Sequence, residues 1–166
     1  MKKGFTLVEL LVSIAIFGLI AMLMFGTIDN LRKQLTFYQN KEAQIVHKNR
    51  ILSLLRSDFD RPKTLKIIRS SENAYDTILI DGSNRSLYGM NDPYVVWMIL
   101  KKTQSLVRLE SSGPITLPIP PESLYQIHSD TIGNECEIFR VYDSNQSRLV
   151  YLKFFDNAPF VVQTSK

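Results

Sequence analysis

At 166 residues and 45% apolar side chains, the chain can form one domain of ordinary size plus a membrane segment, and wholesale disorder is excluded. The formal charge is +4, but two of those charges are Lys2 and Lys3, ahead of an apolar run; without them 18 basic side chains face 16 acidic ones. That balance, with no dense basic patch interleaved with aromatics, gives no footprint for direct nucleic-acid binding.

The first thirty residues carry most of the functional information. From Leu10 to Ile28 there is no charged side chain, and extended back to Phe5 the run is long enough for a tilted membrane-spanning helix. Gly18 and Gly26 are compatible with such a helix, where glycine permits close approach of neighbours. A secretory signal would carry a shorter apolar core followed by a small-x-small cleavage site, and none follows Ile28. A plain signal anchor fits the length and the leading lysines, but leaves Glu9 unexplained. A charge at the bilayer centre costs about 2.5–3.5 kcal/mol, less near the interface, so an intramembrane carboxylate implies a partner. If the chain is cut between Gly4 and Phe5, the new α-amine lies one helical turn before Glu9, at the helix end that carries partial positive charge.

The string KGFTLVELLVSIAIFGLI resembles the type III signal of type IV pilins and type II secretion pseudopilins. Lys2, Lys3, Gly4, Phe5, Thr6, Leu7, Glu9 and Leu10 each match that pattern: a short basic leader ending in Gly, an aromatic first residue, and Glu at the fifth mature position. The resemblance implies cleavage by a prepilin peptidase, N-methylation of Phe5, and assembly with other pilins or pseudopilins through the apolar helix and Glu9. It also implies a pilin-like lollipop of α+β class, with leader inside and head outside the inner membrane. Charge counting alone leaves orientation open, because Arg32, Lys33, Lys41 and Lys48 follow on the other side.

Helical periodicity continues past the apolar run. Leu31, Tyr38, Ile45, Leu52 and Phe59 recur every seven residues, with Leu35, Ile51 and Leu55 widening the stripe and Arg32, Lys33, Gln34, Lys41, Glu42, Lys48, Asn49 and Arg56 opposite. One helix is predicted from about Phe5 to Phe59, ended by Pro62, its inner half packed under a sheet. The boundaries that follow are a leader 1–4, an assembly half 5–28, an amphipathic half 29–61 and a β-sheet head 62–166.

After Pro62 the pattern turns to period two. Strands are predicted at TLKIIR (64–69); at DTILID, running through Gly82, Ser83 and Asn84 into SLY as a hairpin; at PYVVWMILKK (93–102) and SLVRLE (105–110); and at CEIFRVYD, RLVYLKFF and FVVQT. GPITLPIPP (113–121) is too proline-rich for a central strand and is expected as a surface loop. Together these make an antiparallel sheet against a helix. LLRSDFDRPKTLKIIR and VVWMILKKTQSLVRLE resemble the helix end and central hairpin of J-type minor pseudopilins.

The head shows no catalytic pattern. His47 and His128 lack partners at metal-ligand spacing, and no nucleophile elbow, P-loop or dinucleotide fingerprint occurs. DGSN (81–84) reads as a turn rather than a calcium loop, for want of further carboxylates. Trp97 reads as core or subunit interface, and Asp58 and Asp60 face different sides of a helix. The single cysteine, Cys136, excludes an intramolecular disulfide; Glu135 and Glu137 beside it disfavour a thiolate, so a part-buried strand cysteine is expected. No enzyme activity, cofactor, metal or small-molecule substrate is therefore expected. The expected role is a minor pseudopilin of a secretion pseudopilus, with a minor pilin or competence pseudopilin of a DNA-uptake system as the alternative. A signal-anchored periplasmic enzyme or sensor would need catalytic residues that the head lacks.

Overall fold

The computed structural model describes residues 6–70, 74–155 and 157–165. A single helix, α1, runs over Leu7–Phe59. The chain divides into two compact units, Met1–His47 and Lys48–Lys166, so the boundary falls inside the helix rather than at its end.

In the first unit every described side chain is exposed except Ala21, which is half-buried. An 18-residue window of α1 has a mean hydropathy of 2.6 with none of it buried, so the helix is long and apolar enough to cross a membrane. Leu31, Leu35, Tyr38 and Ile45 of the heptad stripe are likewise exposed here.

The second unit opens with the last turns of α1. Ile51, Leu54, Leu55, Asp58 and Phe59 are buried, a spacing of three and four that lays one helical face on the sheets. The predicted stripe is corrected at three positions. Leu54 joins the buried face, Leu52 is only half-buried at its margin, and the charged Asp58 lies in the core. The helix closes with an Asp60 N–H bond to the Arg56 carbonyl and a left-handed Arg61 (φ 50°) before Pro62.

The strands are β1 Thr64–Arg69, β2 Asp76–Asp81, β3 Tyr94–Leu100, β4 Ser105–Ser111, β5 Ile127–Gly133, β6 Cys136–Asp143, β7 Ser147–Phe154 and β8 Phe160–Ser165. They form two antiparallel sheets, ordered β1-β2-β3-β4-β5 and β6-β7-β8. A parallel bridge between Tyr75 and Phe139 links the sheets. Beside it, buried Asp76 accepts from the Val141 N–H (3.0 Å) and from Arg140 (2.9 Å). Alternation along the strands sends Ile78, Ile80, Trp97 and Leu106 inward to meet the helix, with Phe139, Val141, Val150 and Leu152 from the second sheet.

Three expectations for the head change. SLY (86–88) is not the second arm of a hairpin: β2 pairs with β3 (Ile80 opposite Val95), and 82–93 is a connection folded over a buried carboxylate described below. The 113–121 segment is a loop, but it is not merely superficial. Ile115 is buried, and Leu117 and Ile119 pack with it on Val96, Val107 and Leu109, covering the sheet face that points away from α1. Finally, β5 and a short 3-10 helix at Pro121–Gln126 lack an apolar period and were not expected. His128 therefore sits on an edge strand. The strand ends at Gly133, where a Cβ would fall 2.5 Å from the Phe154 ring.

Candidate assembly site at the start of the helix

Thr6 and Glu9 set the start of α1. Oε2 of Glu9 accepts from both the backbone N–H and the hydroxyl of Thr6, each at 2.9 Å, and the Glu9 N–H points back to Thr6 Oγ1 at 3.4 Å. The first backbone bond of the helix, Leu10 N–H to the Thr6 carbonyl, is 3.2 Å. This reciprocal arrangement is a capping box, signalled in sequence by the spacing Thr6-x-x-Glu9. It gives Glu9 a partner within the helix and holds its carboxylate on the positive end of the helix dipole.

Further along, the Ser13 and Thr27 hydroxyls donate to the Glu9 and Leu23 carbonyls at 2.8 Å, so both polar groups of the apolar run are satisfied inside the helix. Lys2, Lys3, Gly4 and Phe5 lie outside the described residues.

Residues 1–25 match the prokaryotic N-terminal methylation motif. No curated protein and no solved structure matches the chain. The methylation motif supports a type IV pilin-like protein, a structural class rather than an enzymatic one, processed by a prepilin peptidase and assembled with other pilins. Together the motif and the apolar helix fit a single-pass, membrane-anchored chain.

The head behind this motif carries one polar constellation that the sequence reading missed. Asp58 of α1 lies in the core with each carboxylate oxygen doubly bonded. Oδ1 accepts from Ser83 Oγ (2.5 Å) and Arg108 Nη2 (3.0 Å), and Oδ2 accepts from Arg108 Nε (2.7 Å) and Trp97 Nε1 (2.8 Å). Arg108 also donates to Glu110 and to the Arg85 carbonyl, while Glu110 accepts from Ser86 and from the Leu87 N–H (3.0 Å). Burial works against the charge of Arg108, but the two carboxylates more than offset it and hold its pKa above the usual value. Burial likewise pushes Glu110 up, and the bonds from Ser86, Leu87 and Arg108 bring it below the usual range. The sequence signal was the alternation in SLVRLES, which puts Leu106, Arg108 and Glu110 on one face.

These carboxylates are closed in by donors and present no open position for a substrate. Asp58 and Asp60 stand apart, one buried and one exposed. No group of three or more metal-binding side chains occurs among the described residues. The DGSN turn is occupied internally, with Ser83 on Asp58 and Asn84 Nδ2 donating to the Asp60 carbonyl at 2.5 Å. His128 stacks on Tyr88 with centroids 4.1 Å apart, and the Tyr88 hydroxyl donates to Asp130 at 2.9 Å. Trp97 is core. Cys136 is wholly buried rather than part-buried, and burial, then the Glu137 charge, push its pKa up to about 12.

Proposed function

We propose that the chain is a minor pseudopilin that supports protein export by assembling through α1 into a type II secretion-type pseudopilus. The observation that carries this reading is the methylation motif over residues 1–25, with Glu9 held at the helix start. In this account residues 1–4 are a leader with the N-terminus in the cytoplasm. Cleavage between Gly4 and Phe5 frees an amine that is then methylated. Residues 5–28 hold the inner membrane, 29–61 continue the helix, and 62–166 form a periplasmic head.

Glu9 is the assembly residue. A carboxylate near hydrocarbon is unfavourable without a counter-charge, and the Phe5 amine of the same or an adjacent subunit supplies one. The pairing would set axial register as well as binding strength.

The test is mass analysis of membrane-extracted protein, which should begin at a methylated Phe5. A mature chain starting at Met1, or beyond the apolar run, would overturn the reading. A minor pilin or competence pseudopilin shares the same motif. Parallel export and DNA-uptake assays on a deletion strain separate the two: loss of export alone supports the secretion role.

A further inference from the structure

One groove in the second unit is built like a site for an extended peptide. Its floor is the face of α1 from Asn49 to Ser57, one wall is Asn84 and Arg85, and the other is β8 at Gln163–Ser165. It encloses about 860 Å³. The loop wall is held in place, because the Arg85 carbonyl accepts from buried Arg108 (2.9 Å) and its guanidinium donates to Ser53 (2.6 Å). The strand wall is the last strand of its sheet, paired with β7 on one side. Its inner face is fixed to the helix end, where the Thr164 hydroxyl donates to the Phe59 carbonyl (3.1 Å).

An outer strand edge beside a rigid floor is a template for strand addition. The floor from Asn49 to Ser57 rises about 12 Å, the span of about four extended residues. Charge indicates what fits. Among the described residues, exposed Arg56 and Arg85 line the groove against a single acid, Asp60, and the Lys48 ammonium sits over the Phe160 ring (5.5 Å) where β8 begins.

We propose that this groove takes an extended acidic segment of a partner protein, which adds a strand to β8 and sets its carboxylates against Arg56 and Arg85. The site lies within the second unit and does not depend on how the N-terminus is processed. Failure of one reading therefore leaves the other standing.

The test uses the full chain in detergent micelles and fluorescein-labelled peptides of about seven residues, alternating Glu with Val. Anisotropy should show salt-sensitive binding of this peptide. A Lys–Val counterpart, or the same peptide N-methylated at alternate amides, should bind at least about tenfold more weakly. Arg56→Glu, at an exposed position, should weaken the acidic peptide by a similar factor with the melting temperature unchanged. Adding Arg85→Glu should weaken it further. Absence of binding at millimolar peptide, equal binding of the acidic and basic peptides, tolerance of N-methylation, or indifference to Arg56→Glu would each overturn the proposal.

Discussion

Asp58 and Arg108, fifty positions apart, meet in a two-pronged pair at 2.7 and 3.0 Å with both side chains removed from solvent. The pair ties the last turn of α1 to β4 of the five-stranded sheet. Through the Arg85 carbonyl and Glu110 it also anchors the 82–93 connection.

Removing both partners should cost less than the two single removals added together. Arg108→Met leaves two buried carboxylates without their cation and should cost about 3–5 kcal/mol. Asp58→Leu together with Arg108→Met should lose much less than the two single losses added, because the coupled sites are not additive. Denaturant unfolding of the full chain and its variants measures both. Strict additivity would mean that the pair contributes nothing of its own.

Acid should weaken the head through Glu110. Its folded pKa lies below the usual 4.5, so it binds its proton more tightly when unfolded. The stability it contributes is present above about pH 4.5 and is lost as the pH falls through the folded value. Melting temperature followed from about pH 7 to pH 3 should decline at the acid end, and Glu110→Gln should flatten that limb while lowering the plateau. An unchanged acid limb in the variant would assign the decline to other groups.

Cys136 should be inert in the native state. With its pKa at about 12, thiolate is on the order of one part in a hundred thousand at pH 7, and the side chain is closed to solvent. Maleimide should label the folded protein at the rate of global or local opening, and label the denatured protein quickly. Rapid native labelling would contradict the buried position.

Chelator should leave the melting transition of the head where it is, since the DGSN turn spends its side chains on Asp58 and the Asp60 carbonyl. A fall in melting temperature on adding EDTA, restored by calcium, would reassign the turn.

At Glu9, two roles can be separated by choice of substitution. Glutamine keeps the capping box but not the charge, whereas leucine removes both. If the carboxylate pairs with a subunit amine, Glu9→Gln and Glu9→Leu should both be cleaved and retained in the membrane yet fail to enter the filament. Leucine should insert at least as well as the native residue. Crosslinking to sister subunits, read beside a transport assay, reports assembly. Wild-type incorporation of Glu9→Gln would reduce Glu9 to a cap.

Local patterns were legible from the residues alone. The helix to Phe59, the strand at Thr64–Arg69 and the methylation motif rest on periodicity, a proline stop and close spacing, all of which act within a few residues of chain. A carboxylate near the start of α1 was likewise visible, and Thr6 three positions earlier marks its cap. Tertiary structure decided what joins distant segments. The Asp58–Arg108–Glu110 cluster depends on a helix end meeting a strand fifty residues away, and Asp58 reads in isolation as one more surface acid. That cluster diverts Ser86 and Leu87 from strand pairing, because satisfying a buried carboxylate outweighs one more ladder rung. The polar edge strand β5 and the burial of Ile115 arise in the same way. Both follow from the apolar face and open edge that the neighbouring strands present, which no local period announces.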